Sequence, residues 1–133
     1  MKTKFILFAL PVIIAIILIS QNYSNQIVGP HGGRLKQAEN YNIEMKNPYG
    51  EFYTYLLDKN LVPISNKSKG ISCEVNFFIL DNMVSDFILE PKGEDAFFTK
   101  ITMPYHSCRI TFHVFGKKVS AKFESETLIV QKK

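Results

Sequence analysis

The chain has 133 residues, 46% hydrophobic and 21% charged, with a formal net charge of +4. Apart from a leader, that length is one domain with a real core. Two of the positive charges are Lys2 and Lys4, the other lysines are scattered among acids, and there is no arginine-rich stripe or aromatic stacking motif, so nucleic acid is excluded as a partner.

Phe5 to Ile19 form an unbroken apolar run behind Lys2 and Lys4. A positive start followed by such a run is the pattern of an export signal. The run is shorter than the about 20 residues of a usual membrane span. Ser20 and Ser24 suit the residue before a signal-peptidase cut, but Leu18 and Asn22 are poor two residues earlier. A cleaved signal and a retained membrane anchor both stay open. Residues 1–26 are therefore read as a signal peptide or N-terminal anchor helix with its linker. Residues 27–133 are read as one domain in the cell envelope, on the periplasmic or other extracytoplasmic face.

Beyond the leader nearly every apolar pattern has period two, which predicts strands. Tyr41, Ile43 and Met45 alternate over 41–46, and Asn47-Pro48-Tyr49-Gly50 is a turn by composition. Residues 51–57 are rich in aromatics, as strands are. Val62-Pro63-Ile64 suits a short edge strand. Strands follow over 71–80 and 83–90, with a hairpin at Asp81-Asn82. Glu90 to Glu94 reads as a turn, then 96–102 and 107–115 as strands, Gly116-Lys117-Lys118 as a hairpin, and Val119, Ala121 and Phe123 as inward positions. Leu128-Ile129-Val130 offers a last strand or a tail. Six to eight short strands at this spacing predict an all-β fold, an immunoglobulin-like antiparallel β-sandwich. Ile43, Val75, Phe77, Ile110, Phe112, Val114 and Phe123 are its expected interior.

The two cysteines, Cys73 and Cys108, both fall on the apolar set of their strands. In an exported chain an even count permits a disulfide between them. Two buried free thiols are the other outcome.

Enzyme signatures are lacking. There is no Gly-x-Ser-x-Gly elbow, no Gly-rich phosphate loop and no His-Glu-x-x-His, and the cysteines sit within strands. A non-enzymatic role is expected. Metal binding is a stronger reading than catalysis, beside the plainer alternative of a few surface histidines and core methionines. The histidines are His31, His106 and His113, and the methionines past the leader are Met45, Met83 and Met103. Imidazole and thioether suit copper and other borderline or soft ions. His31 stands in the flexible stretch Gly29-Pro30-His31-Gly32-Gly33, with Glu44 and Met45 as its nearest candidate partners. Such a mixed set suits a weak, transient copper contact better than a closed structural zinc site.

Pro30-His31-Gly32-Gly33-x-Leu35 followed by Tyr41-x-Ile43-Glu44 resembles the start of small exported domains that occur alone or attached to heavy-metal efflux adaptor proteins. Their pattern is Pro-His-Gly-Gly-x-Val and then Tyr-His-Ile-Glu. The likeness continues through Tyr55-Leu56-Leu57-Asp58 with Pro63, Leu89-x-Pro91-x-Gly93-x-Asp95-x-Phe97, and Gly116-Lys117-x-Val119-x-Ala121-x-Phe123. It covers roughly residues 29 to 124. The resemblance implies an all-β envelope domain linked to transition-metal homeostasis or efflux, by weak metal binding or by contact with an efflux assembly. The chain departs from it at Asn42, where a histidine is frequent, and in its Gln131-Lys132-Lys133 tail, which is not His-rich. These departures keep open a metal-free structural or interaction domain.

Overall fold

The structure, a computed structural model, describes residues 27–125. The leader and the Leu128–Val130 stretch lie outside the described residues.

Nine strands follow in order: β1 Arg34–Ala38, β2 Tyr41–Lys46, β3 Glu51–Asp58, β4 Ile71–Ile79, β5 Asn82–Ile88, β6 Glu90–Lys92, β7 Ala96–Lys100, β8 Ser107–Val114 and β9 Lys117–Glu124. Among the described residues there is no helix. The strands form two antiparallel sheets, ordered β1-β2-β3-β7-β6 and β5-β4-β8-β9. The chain passes from the first sheet to the second between β3 and β4, returns between β5 and β6, and crosses again between β7 and β8.

The period-two pattern explains how the sheets face each other, because successive strand residues point to opposite sides. Ile43, Met45, Phe52, Leu56 and Phe97 line the inner face of the first sheet. Val75, Phe77, Ile110, Phe112 and Phe123 line that of the second, and all belong to one buried cluster. Phe52 meets Phe77 edge-on at 5.4 Å between centroids, and Phe97 meets Phe112 likewise at 5.5 Å. Each such buried ring contributes roughly 2–3 kcal/mol by its removal from water. The seven residues expected inside, Val114 among them, are all buried.

Several expectations need correction. β1 was not expected: its exposed, polar Lys36 and Gln37 hide any apolar alternation. Residues 90–92, read as a turn, form a short edge strand beside β7. Val62 to Ile64 contributes only an isolated bridge, Leu57 to Pro63. The disulfide is also corrected. Cys73 and Cys108 do share the inner face of the second sheet, on adjacent strands. In the register, however, Cys73 opposes Phe112 and Cys108 opposes Phe77. Four residues along the strand direction is about 13 Å, whereas a bridge needs Cα atoms within about 7 Å. Both cysteines are free and buried.

Candidate functional site

The outer face of the first sheet carries an unusual residue. Glu44 on β2 points away from the sandwich interior, yet it is completely buried. Its cover is the segment from Ile27 to Gly33, a strap that pairs with β1 through Val28 and Arg34 and runs over the sheet. Gly29 N–H donates to the Gly33 carbonyl at 2.8 Å, and Gly32 N–H donates to the Gly29 carbonyl at 3.0 Å.

The strap is fastened through Glu44. His31 N–H and Gly33 N–H both donate to Glu44 Oε2, at 2.9 and 2.8 Å. His31 Nδ1 lies 2.7 Å from Glu44 Oε1. The other ring nitrogen, Nε2, lies 2.8 Å from Asp95 Oδ2 in the β6–β7 turn. The imidazole lies flat on Tyr55 of β3, with centroids 3.7 Å apart and planes 8° from parallel. Tyr55, Leu57 and Ala96, with Leu35 and Tyr53 around them, form a second small apolar cluster beneath the strap.

The glycines of the motif are set by this packing. A Cβ on Gly29 would stand 2.3 Å from the Glu44 carboxyl carbon, and one on Gly33 would stand 2.6 Å from the Met45 carbonyl oxygen. Gly32 has open space around it but a φ of +81°, the left-handed region that glycine adopts without strain.

An ionised carboxylate only accepts, and here both ring nitrogens face carboxylates, an arrangement that favours the imidazolium form. Burial disfavours that charge. Hydrogen bonds to Glu44 and Asp95, and the charges of both, outweigh it and raise the His31 pKa. Burial, with the charges of Asp95 and Glu44, also raises the Tyr55 phenol.

Of the candidate metal ligands, the structure brings His31 and Glu44 together. Met45 does not join them: as the next residue along β2 it faces the interior and is 2% exposed. A metal at His31 would have to displace a proton already shared with a carboxylate. Glu44 and Asp95 sit at opposite nitrogens of one ring and do not converge on a common point. Among the described residues, no group of three or more His, Cys, Asp or Glu side chains is arranged to hold a metal ion. The other histidines lie elsewhere. His106 Nδ1 accepts from Leu80 N–H at 3.1 Å. His113 Nε2 lies 3.2 Å from Glu74 Oε1 on the far outer face of the second sheet.

Tyr55 and Asp95 were not among the sequence-derived site residues. The one sequence signal for them was their place in the ordered segments that carry the resemblance: His31, Glu44, Tyr55 and Asp95 come from four separate segments and meet at one point. No protein-family model, no curated protein and no solved structure matches the chain.

Proposed function

We propose that the chain is an immunoglobulin-like interaction domain of the cell envelope, acting by contact with partner proteins and without a resident metal. The observation that carries this reading is the engagement of both His31 ring nitrogens by Glu44 and Asp95. The histidine that the motif offers as a ligand is used to fasten the strap. The strand order supports the immunoglobulin-like assignment: β3 and β4 lie in opposite sheets, as do β7 and β8, with β4-β5, β6-β7 and β8-β9 hairpins between the crossings. The partner class implied by the resemblance is a heavy-metal efflux assembly, approached as a binding partner rather than as a metal source.

Titrating the whole chain with copper and zinc, beside its His31→Ala variant, tests this. The reading expects equal, negligible uptake by both proteins and a clear loss of stability in the variant. Tight uptake by the native chain that disappears in His31→Ala would overturn it in favour of metal handling.

A further inference from the structure

Four strands form the edges of the two sheets: β1 and β6 in the first, β5 and β9 in the second. An exposed edge offers unpaired backbone donors and acceptors to another strand, and proteins blunt it with cations, proline, short strands or cover. Three of these edges are blunted. β1 is bridged by the strap at Val28 and carries Arg34 and Lys36. β6 has three residues, one of them Pro91. β9 bears Lys117, Lys118 and Lys122. On that side β1 and β9 also close on each other: Arg34 and Lys36 lie over the Phe123 ring, and Lys36 Nζ donates to the Lys122 carbonyl.

β5 is different. It is seven residues long and has no proline, no lysine and no arginine, with Asp86 its one charge. Among the described residues, its hairpin with β4 also carries the largest group of exposed apolar side chains. Leu80, Met83, Val84 and Ile88 are 70%, 58%, 45% and 81% exposed within one hairpin, whereas Ile27 with Val28 and Leu61 with Val62 are exposed only as pairs, and Tyr49 and Phe115 singly. A bulge opposite Phe77 and Phe78 leaves Val84 without a ladder partner on β4 and turned outward.

We propose that β5 is a self-association edge, pairing antiparallel with β5 of a second copy about a two-fold axis to join two four-stranded sheets into one of eight. An axis at Ser85 uses the whole strand, sets each Asp86 opposite a Val84, and keeps the two carboxylates from facing each other. Like charges directly opposite would be destabilising. A two-fold contact consumes both β5 edges, and the remaining edges are blunted, so the assembly closes at two chains. A cation-rich partner strand would find only one anion here, whereas a second β5 brings matching apolar side chains and no charge conflict.

The test is cross-linking of the full-length chain carrying Val84→Cys with a thiol-reactive reagent whose short spacer contains a disulfide. The two Val84 positions would lie diagonally about 7–8 Å apart, beyond a direct bridge. Lys118→Cys on β9 is the comparison. The native cysteines are buried, so the unsubstituted chain controls for them. The expected result is a reducible product of twice the chain's mass from Val84→Cys alone, lost when Ile88→Lys is added. Ile88 is exposed, so that change leaves the core intact. Absence of the product, equal product from Lys118→Cys, a ladder of higher masses, or cross-linking only to other proteins would each overturn the proposal.

Discussion

The imidazole of His31 lies on the ring of Tyr55 with the two planes 8° from parallel and 3.7 Å between centroids. A cationic ring on an aromatic face is an attractive arrangement, and here it is locked from both edges by carboxylates. His31 thus joins three separate parts of the chain: β2 through Glu44, β3 through Tyr55, and the β6–β7 turn through Asp95.

Removing His31 leaves the Glu44 carboxylate buried with only two backbone donors. His31→Ala is expected to destabilise the domain by about 3 kcal/mol, as for breaking a buried ion pair. Asp95→Asn should cost about 1 kcal/mol or less, because Asp95 reaches solvent and its pairing is screened. Denaturant unfolding of the two variants checks the order. Equal effects would contradict the role assigned to Glu44.

The raised His31 pKa gives stability a sign with pH. The folded state holds the proton to higher pH than the unfolded chain, whose histidine releases it near about 6.5. The contribution is fully present below that value and is lost as pH rises through the folded pKa. Unfolding midpoints measured from about pH 6 to about pH 9 should fall for the native chain by more than for His31→Ala. Parallel profiles would contradict the imidazolium bridge.

The strap glycines should differ in cost. Gly32→Ala meets no atom and strains only the backbone, for about 1 kcal/mol. Gly29→Ala drives a methyl into the Glu44 carboxylate and should cost more. Thermal melts of the pair decide this, and the reverse order would mean that the strap does not lie on Glu44.

Much of the fold was legible because the strands that build the core alternate cleanly. The bounds of β2 coincide with the expected 41–46, and the interior faces of β4, β8 and β9 follow from period two. β1 and β6 were not legible, since edge strands bury little and show little pattern. The site was half legible. His31 and Glu44 stand close in sequence and were paired, but Asp95 lies 64 residues from His31, and only the β3–β7 pairing brings it to the edge of the ring. Met45 misled because sequence proximity ignores the change of face between neighbours on a strand. The cysteines misled in another way: a shared face is visible in the alternation, but register along the strand is not.

The thiols should be inert in the folded protein. Burial pushes Cys108 up to about 12 and Cys73 well above its ordinary value, and only the thiolate reacts readily. Alkylation under native conditions should label neither, and labelling after unfolding without reductant should modify both. No label in the unfolded chain, with both restored by reductant, would reveal a disulfide and contradict the register of β4 and β8.

The central claim is that His31 is a doubly protonated bridge that fastens the strap. The most direct measurement is the nitrogen NMR of its side chain in the isotope-labelled full chain at neutral pH, before and after zinc is added. The account expects both ring nitrogens to carry protons that zinc does not displace. A single protonated nitrogen, or loss of a proton on zinc addition with a shift to a metal-bound nitrogen, would contradict it.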